Sequence, residues 1–458
     1  MRSLKLKALI VAATIFTASC KKDNPEPANP SGKQTITLQN GGSITGVYKN
    51  TVLNVPEGTF TIKGYVFFEE GSEINIAPGA VIKSDITNKG ALIIERGAKI
   101  NAIGTAAKPI VFTSGKPVGE RNPGDWGGVV ILGKAKTNRT TEPTIEGGIG
   151  KNYGGTADND NSGTLKYVRI EFAGIAAQPN SEINGLTLGG VGSGTTIEYV
   201  QVSYGNDDAF EIFGGTVNAK YLVAYGTADD DFDFDFGYTG KIQFGISLRN
   251  PSVVDPGDAG NGIECDNDGT GTLATPVTRP VLSNFTFIGP NVDLTASKNH
   301  NFANRFRRSS NFVLNNSVLI GWMKGGLSLE SDATYNSFVG TTTTSEFKNN
   351  LLHANAAPYK IGSVTVVGAT DIAVKAKAEA NGTVTLAAAA DAKITDPFNL
   401  LSPNLLPAAG SPALSGSAFA GDLSNTFFTT TTYRGAFGSN NWLVGWSNFN
   451  FTKGTNGY

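Results

Sequence analysis

From Thr35 onward, apolar residues recur in short runs of strand length that are bounded by Gly, Asn or Pro. Many runs are rich in β-branched residues, which favour strands, while Gly and Asn supply the turns between them. The early runs are 51–55, 65–68, 73–76, 81–82, 91–94 and 110–112. No helical periodicity of about 10 to 15 residues separates them, which argues against alternating strands and helices. The pattern predicts an all-β chain.

Residues 196–215 and 218–237 repeat each other with an offset of 22 positions. The matched pairs are Tyr199 and Tyr221, Asp207 and Asp229, Asp208 and Asp230, and Phe210 and Phe232. A repeat of this length with strand-type alternation indicates coils that stack on one another. The copies align without reversal and the turns are irregular, whereas sandwiches and propellers use antiparallel hairpins. A single parallel β-helix, a solenoid with capped ends, is therefore expected.

Two columns of side chains are predicted to run along the stacked coils. Because neighbouring coils lie about 4.8 Å apart, aligned residues meet directly. One column alternates in charge and the other is aromatic, and alternating charges stabilise such pairs. The columns are Lys166, Glu198 and Lys220, and Tyr167, Tyr199 and Tyr221. The longer interval from Tyr167 to Tyr199 predicts a loop around 176–185 in that coil.

The chain divides into segments of different composition. We expect the β-helix coils to occupy 35–361. Residues 362–395 are rich in Ala, Val, Thr and Lys and read as an insertion, in which 374–379 and 386–392 could form short helical turns. Residues 396–458 are expected to form an irregular last coil and a C-terminal cap. The Trp- and Phe-rich part of this segment, 435–451, would cover the open end of the core.

Several stretches carry a family resemblance: 71–82, 91–102, 109–114, the Gly-Asp-Trp-Gly-Gly run at 124–128, and 433–437 with Trp442 and Trp446. Together they resemble a family of Bacteroidetes lipoproteins with a parallel β-helix. The resemblance extends over most of the chain from about residue 40. It implies a right-handed parallel β-helix at the cell surface, and it implies no settled activity.

The N-terminus reads as an export signal. Arg2, Lys5 and Lys7 precede the apolar run 8–16, which is too short for a permanent membrane span. Small residues then lead to Cys20, as in a bacterial lipoprotein signal, although Thr17 stands where leucine is usual. We expect a signal peptide at 1–19 and lipid attachment at Cys20, with a plain secretory signal as the alternative.

A flexible tether is expected at 20–34, because this Pro-, Asn- and Ser-containing stretch cannot pack a core. Its Cys-Lys-Lys-Asp start resembles Bacteroidetes lipoproteins and implies an outer-membrane anchor, with the protein at the cell surface. Cys265 would be the one cysteine left after lipidation, so a disulfide framework is not expected. The formal net charge of −2 argues against a nucleic-acid partner, which would require a basic face.

An acidic cluster occupies the repeated region and its continuation. Its members are Asp207, Asp208, Glu211, Asp229, Asp230, Asp231, Asp233 and Asp235, followed by Asp258, Glu264, Asp266 and Asp268. Strand alternation should turn Phe232, Phe234 and Phe236 inward, and Asp233 and Asp235 outward. Stacked carboxylates repel one another by roughly 1 kcal/mol in water and by more when they are partly desolvated. Something must offset that repulsion.

Three interpretations remain open for the cluster. It could be a solvated face whose turn aspartates bond their own backbone, balanced by Lys220, Lys241 and Arg249. It could bind Ca²⁺, which takes six to eight hard oxygen ligands, although the spacing does not fit an EF-hand loop. The residues for such a site would be Asp207, Asp208, Asp229, Asp230 and Asp231. It could also be catalytic, since paired carboxylates serve as acid and base in glycosidases.

A catalytic site would recruit residues from further along the chain. The candidates are Asp207, Asp208 and Asp230 with His300, Arg305 and Arg307. In a polysaccharide lyase, His300 or an arginine would act as base beside a cation that neutralises the substrate carboxylate. A loop histidine and an arginine run that merely balances the acidic coils are the simpler interpretation. These residues should lie within about 10 Å of one another if they form an active site.

The sequence favours a non-enzymatic role over catalysis without deciding between them. The expected function is binding, adhesion or scaffolding toward glycans or other surface polymers, with Ca²⁺ as the one cofactor considered. The alternative is a polysaccharide lyase or glycoside hydrolase acting on acidic polysaccharide. The ligand and the oligomeric state are not specified by any pattern in the chain.

Overall fold

The computed structural model describes residues 32–178, 181–292 and 299–451. The signal peptide, Cys20 and most of the expected tether lie outside the described residues, so these remain predictions. Within the described residues, no helix is long and apolar enough to cross a membrane. The strands pair almost entirely in parallel and wind around one axis, which confirms the all-β parallel β-helix.

The strands are short and follow one another in nearly regular succession. They are β1 (Gln34–Thr37), β2 (Ser43–Tyr48), β3 (Thr51–Val55), β4 (Gly58–Phe68), β5 (Glu73–Ile76), β6 (Ala80–Ser84), β7 (Ala91–Ile94), β8 (Lys99–Ile103), β9 (Ile110–Thr113), β10 (Val129–Leu132), β11 (Gly163–Glu171), β12 (Ala176–Gln178), β13 (Ser181–Glu182), β14 (Leu186–Gly189), β15 (Thr196–Ser203) and β16 (Phe210–Phe213). The series continues with β17 (Asn218–Tyr225), β18 (Phe232–Asp235), β19 (Lys241–Leu248), β20 (Glu264–Cys265), β21 (Val281–Ser283), β22 (Thr286–Ile288), β23 (Phe302–Phe306), β24 (Val313–Asn315), β25 (Val318–Trp322), β26 (Gly325–Glu330), α1 (Asp332–Val339), β27 (Glu346–Lys348), β28 (Leu351–Ala354), β29 (Ala357–Gly362), α2 (Asp371–Ala380), β30 (Val384–Thr385), β31 (Ile394–Asp396) and β32 (Asn404–Pro407).

Each coil contributes to three parallel faces, here called sheets A, B and C. Sheet A runs from β1 and β3 to β24 and β27, and sheet B runs from β2 and β4 to β28 and β30. Sheet C runs from the end of β4 and β7 through β10, β14, β16, β18, β20, β23 and β26 to β29. The 22-position repeat is confirmed, because Phe210 pairs with Phe232 and Glu198 pairs with Lys220.

The corner between sheets A and B carries the predicted aromatic column. Tyr167, Tyr199, Tyr221 and Phe244 have φ angles of 52°, 54°, 61° and 64°, which let one strand bend from sheet A into sheet B. Left-handed backbone is unfavourable for large side chains. Here the rings stack at centroid distances of 4.4, 4.3 and 4.9 Å, and such stacking offsets part of that cost.

The charged column forms in register, but only half of it is an ion pair. Lys166 Nζ lies 2.8 Å from Glu198 Oε2, as predicted. Lys220 pairs with Glu198 by backbone register, yet its ammonium bonds Thr429 Oγ1 at 3.0 Å and lies over the Phe427 ring. The C-terminal segment therefore competes with Glu198 for this lysine.

The alternation predicted for 232–236 holds for four of the five residues. Phe232 and Phe234 are fully buried in the core, while Asp233 and Asp235 are partly exposed on the outer face. Phe236 was expected inside and lies outside instead. It follows the end of the strand with φ 50°, so it turns outward and stacks on Phe213 at 5.6 Å.

The segment expected to interrupt the coils instead closes the far end of the solenoid. β30 continues sheet B by pairing with β28, so the sheets extend beyond residue 361. α2 follows its N-cap residue Thr370 and packs against β29, with Val374 and Ala378 buried in the main core. The second expected helical stretch is a 3₁₀ turn at Ala389–Ala392. The loop expected at 176–185 contains the antiparallel pair β12 and β13.

The Trp- and Phe-rich segment 435–451 was expected to cap the end, but it lies along the flank. Trp446 is 6.0 Å from the Tyr167 ring and 5.9 Å from the Tyr199 ring. The segment covers outward apolar side chains of sheet B, among them Val223 and Ile246. The segment 396–458 was expected to begin with an irregular last coil, and its first part instead contains β32, which pairs antiparallel with β31. The outer face of sheet B is apolar, so it would be exposed to solvent without this segment. The segment therefore buries the flank of the solenoid and not its open end.

Replacing Trp446 by alanine tests this flank contact. Trp446 is 1% exposed, so we expect the free energy of unfolding to fall by about 3 to 5 kcal/mol through loss of buried ring contacts. Urea denaturation followed by circular dichroism measures the change. Val444→Ala is the control, because Val444 lies two residues away and is 70% exposed. Equal stability of the two variants would contradict the assigned packing.

Candidate functional site

The acidic cluster lies where sheet B turns into sheet C. The turn 204–209 joins β15 to β16, and the turn 226–231 joins β17 to β18 in the next coil. Since these coils are in register, the turns stack, and their aspartates meet. The outward positions of sheet C continue the column, with Glu211 beside Asp233 and Asp233 beside Glu264.

Two of the repeated aspartates tie one coil to the next. The amide N of Asp230 donates to Asp208 Oδ1 at 2.9 Å, and the amide N of Asn261 donates to Asp230 Oδ1 at 2.5 Å. Asn261 Oδ1 in turn accepts from the Phe302 amide at 3.1 Å. Asp230 was a predicted metal ligand and catalytic residue, and it is 4% exposed in this structural ladder.

Asp231 was a predicted metal ligand, and the structure places it in the interior. Its carboxylate lies 3.1 Å from the Arg249 guanidinium, and both side chains are fully buried. Thr227 and Ser247 donate hydrogen bonds to the same carboxylate. Asp231 is therefore saturated and faces away from the cluster, because the turn reverses the direction of successive side chains before β18 begins.

Five carboxylates assemble into two overlapping groups. The outer group is Asp207, Asp208 and Asp229, and the inner group is Asp208, Glu211 and Asp233. Within each group, one oxygen from each residue lies within 4.8 Å of the others. Two unit charges at that distance repel by roughly 3 to 4 kcal/mol at an effective dielectric constant of about 20. The sequence analysis placed three of these five residues in a possible metal site and did not include Glu211 and Asp233.

The surroundings oppose ionisation of these groups. Burial raises the pKa of Asp208 well above its usual range, and the neighbouring charges of Asp207 and Asp233 raise that pKa further. Burial also raises the pKa of Asp207, Asp229 and Asp233, with nearby carboxylates acting in the same direction. Each group would ionise more readily if a cation lay beside it.

Two loops that are distant in sequence from the acidic turns also border the site. Glu146 follows β10, and Asn184 follows β13. Asn184 Nδ2 donates to Glu146 Oε1 at 2.9 Å and to Glu211 Oε2. Burial and the Glu146 charge raise the pKa of Glu211 well above its usual range. No repeat relates these loops to the acidic coils, so the sequence offered no signal for Glu146 or Asn184.

The outer and inner groups contain carboxylate oxygens that are not engaged by cationic side chains of the described residues. In the part of the chain that the structure describes, none of their five carboxylates forms an ion pair with Lys or Arg. Asp229 Oδ1 and Asp233 Oδ1 are buried and lack a hydrogen-bond partner. Buried unpaired oxygens are unfavourable and usually mark an ion or water position. Hard carboxylate oxygens at this spacing suit Ca²⁺, whose oxygen ligands lie about 2.3 to 2.6 Å from the ion.

The predicted arginines lie in the next coil and are already paired. Arg305 bonds Glu264 Oε2 at 3.0 Å and both oxygens of Glu330 at 3.0 and 3.1 Å. Arg307 bonds Asp266 Oδ1 at 2.8 Å and also contacts Glu264. The arginine run therefore balances the third acidic segment, which leaves the outer and inner groups without that neutralisation.

His300 does not reach the surface. It is fully buried, and Arg249 Nε donates to its Nδ1 at 3.4 Å. A buried imidazole cannot take a proton from a polysaccharide lying on the outside. The residues expected to gather in a lyase site are instead divided between the outer face, the ion-paired arginines and the interior.

The other candidate residues are part of the packing. Trp126 and Trp322 could stack on sugar rings only at the surface, but both are fully buried, and Trp126 Nε1 donates to the Glu171 carbonyl at 2.8 Å. Cys265 is buried on the inner side of sheet C, and burial raises the pKa of its thiol well above the usual value. Neither tryptophan nor the cysteine contributes to a surface site.

A polar pocket of about 510 Å³ lies toward the N-terminal end, away from the acidic cluster. Its charges are paired, with Lys134 Nζ 2.6 Å from Glu70 and Lys151 Nζ 2.8 Å from Glu95. Since these pairs neutralise one another, the pocket lacks the uncompensated charge that distinguishes the acidic cluster. The candidate site is therefore the cluster.

Comparison with known proteins supports the fold and leaves the activity open. Residues 46–395 match a family model described as a pectate-lyase-like β-helix domain. Comparison with curated proteins and with solved structures found no match. The matched region contains the whole acidic cluster, together with Arg305 and Arg307. The cluster therefore belongs to the β-helix domain and not to an added segment.

The electrostatics of this face predict that, without divalent cations, the protein gains stability as the pH falls. Burial raises the pKa of Glu211 well above its ordinary value of 4.5, with Glu146 and Asp208 adding to the rise. Above pH 4.5 and below the raised pKa, the folded chain holds a proton that the unfolded chain has lost. The free energy of unfolding therefore decreases as the pH rises from 4.5 toward neutrality.

Urea denaturation in EDTA across this pH range measures the effect. Glu211→Gln should reduce the slope, whereas Glu57→Gln, at an exposed carboxylate paired with Lys108, should leave it unchanged. A stability that rises with pH throughout the range would contradict the assigned electrostatics.

Proposed function

The chain belongs to the family of pectate-lyase-like β-helix domains, and we propose that it is a cell-surface protein that binds acidic polysaccharide through Ca²⁺ held at the acidic cluster. The proposal assigns binding, adhesion or scaffolding rather than catalysis. The observation that carries it is the uncompensated outer group, with Asp229 Oδ1 buried and without a partner. A cation there would remove the repulsion, and the partial exposure of Asp207 and Asp229 leaves coordination positions open to an external anion.

The polymer is argued from the shape and charge of the face. Sheet C is a long, flat array in which outward side chains repeat at the coil spacing. An extended chain lying along it can place successive anionic groups near the cation and near the partly exposed Arg308. An acidic glycan meets both requirements.

A hydrolytic function is the second candidate, and one observation favours it. The carboxyl groups of the outer and inner groups combine raised pKa values with separations within 4.8 Å. Retaining glycosidases pair a protonated acid with a carboxylate nucleophile at about 5 to 5.5 Å. In that case, the site would cleave the acidic polysaccharide that it binds.

A sedimentation assay with insoluble acidic polysaccharide tests the binding. We expect the protein to co-sediment with an immobilised polyuronate in Ca²⁺, to be released by EDTA, and to ignore a neutral glucan. Asp229→Asn should abolish binding because it removes an outer-group ligand. Asp396→Asn, at an exposed carboxylate on β31, is the matched control. Binding that persists equally in EDTA would contradict the proposal.

The same samples separate binding from cleavage. Release of reducing ends, or absorbance of an unsaturated product, from the bound polyuronate would indicate a hydrolase or a lyase. Intact polymer after prolonged incubation in Ca²⁺ would support the binding function. Loss of cleavage in Asp208→Asn would assign any observed reaction to this cluster.

The cellular location rests on the N-terminal signal, and Cys20→Ser tests it. We expect the natural protein in the outer-membrane fraction, released from intact cells by external protease. The serine variant cannot be lipidated and should appear in the soluble exported fraction. Labelling with a fatty-acid analogue provides the direct readout. Equal membrane retention of both forms would contradict lipid anchoring at Cys20.

A further inference from the structure

We propose that the outer face of sheet A along its first strands, β1, β3, β5 and β8, binds a proline-rich peptide of a partner protein in the polyproline II conformation. The site is a groove of about 380 Å³, here called the sheet A groove, which crosses these strands. It lies on a different face of the solenoid from the acidic cluster. The inference therefore goes beyond the proposed function and does not depend on it.

A ladder of side-chain amides forms one side of the groove. Asn54, Asn75 and Asn101 lie in register on successive strands and point outward. Asn75 Nδ2 donates to Asn54 Oδ1 at 3.0 Å, and Asn101 Nδ2 donates to Asn75 Oδ1 at 2.9 Å. An amide nitrogen carries two N–H groups, and the described residues supply no acceptor for the second one on Asn75 or Asn101. The ladder therefore presents a row of unused donors.

A row of apolar side chains runs beside the ladder. Two positions further along the chain from each asparagine, the outward residues are Pro56, Ala77 and Ile103, and all three line the groove. The two rows are about 6.6 Å apart, because a strand rises about 3.3 Å per residue. Ile103 is 48% exposed, so this row is accessible from outside. A ligand in the groove would meet hydrogen-bond donors on one side and apolar surface on the other.

The chain already binds irregular peptide segments of its own through outward amides. Gln243 Nε2 donates to the Thr429 carbonyl at 2.7 Å, and the Thr429 amide donates back to Gln243 Oε1 at 2.8 Å. Asn316 and Ala418 form the same reciprocal pair, at 3.0 and 2.9 Å. Gln243 Nε2 also donates to Asn284 Oδ1 at 3.1 Å. One amide can thus bond to a neighbouring amide and hold a peptide backbone at the same time.

This internal peptide covers the later coils of sheet A. Leu423 and Phe428 pack on Val281 and Val313, which are outward side chains of β21 and β24. The sheet A groove lies on the same face in the earliest coils, and its lining comes from the sheet A strands and the turns that follow them. A partner peptide would continue along a face that the protein already uses to hold a peptide.

The coil spacing selects the conformation of the bound peptide. Alternate asparagines of the ladder are two coils apart, which is about 9.6 Å at ~4.8 Å per coil. A polyproline II helix rises about 3.1 Å per residue with three residues per turn, so equivalent carbonyls recur every ~9.3 Å. Equivalent carbonyls of a β-strand recur about every 6.6 Å, which matches neither one coil nor two. Polyproline II carbonyls have no internal partner and can accept from the ladder, while proline rings pack on the apolar row.

The surrounding charges favour an uncharged ligand. Two ion pairs flank the groove, with Lys33 Nζ 2.6 Å from Glu73 on one side and Lys108 Nζ 2.8 Å from Glu57 on the other. None of the described residues that line the groove is ionisable. A charged polymer would lose hydration there without gaining a counter-charge, whereas a proline-rich segment carries no charge to desolvate.

Fluorescence anisotropy with a labelled polyproline peptide of about nine residues, three turns of the helix, tests the binding. We expect saturable binding of one peptide per chain, and no binding of a Gly-Ser peptide of equal length. Ile103→Ser removes apolar surface and Asn75→Ala removes the central donor, so each should weaken binding by roughly fivefold or more. Ile86→Ser should bind normally, because Ile86 is 63% exposed in the loop between β6 and β7, away from sheet A.

Thermal melting checks that each variant is folded. Because Ile103 is exposed, its replacement tests the groove even if loss of the Asn75 amide destabilises the coils. Unchanged affinity in folded Ile103→Ser, or no saturable binding to the unaltered chain, would overturn the inference. Binding of a neutral oligosaccharide instead of the peptide, or a dimer that the peptide dissociates, would also overturn it, since a glycan or a second copy would then occupy the groove.

The same Ile103→Ser variant separates this site from the acidic cluster. We expect it to lose affinity for the polyproline peptide and to retain co-sedimentation with the polyuronate in Ca²⁺. Peptide binding by a chain that does not bind polyuronate would uphold the inference and reject the proposed glycan function. Loss of both activities in the folded variant would contradict two independent sites.

Discussion

In-register parallel stacking of the coils is the constraint on which the rest of the structure depends. Backbone hydrogen bonds between successive coils set a spacing of about 4.8 Å and force equivalent residues into columns. A column of rings gains from this, and the stack through Tyr199 allows a left-handed corner that a lone tyrosine would disfavour. A column of carboxylates gains nothing, and every coil added at the same position increases the repulsion.

The stacked carboxylates of sheet C have two different surroundings. At the third acidic segment, Arg305 and Arg307 follow one coil later and pair with Glu264 and Asp266. At the preceding two coils, Arg249 is directed inward to Asp231, and the described residues supply no ion pair to the outer and inner groups. This contrast within one sheet separates the candidate site from a balanced ion network.

Two elements outside the coils, α2 and the segment 435–451, cover apolar surfaces of the solenoid. α2 closes the end of the core, whereas the segment 435–451 covers the apolar flank of sheet B. α2 contacts sheet C at β29, its last strand. The acidic cluster lies several coils before that strand and is bordered by the loops of Glu146 and Asn184.

The sequence by itself determined whatever depends on the strand period and on the repeat. Those features fix the alternation of Phe232 with Asp233, the pairing of Glu198 with Lys220, and the parallel β-helix. Turn residues have no such period, so only the tertiary structure decided that Asp229 faces outward and Asp231 inward to Arg249. The contribution of Asn184 and the flank position of 435–451 likewise depend on contacts between distant parts of the chain. Local alternation carries no information about such contacts, because loop closure and packing determine them.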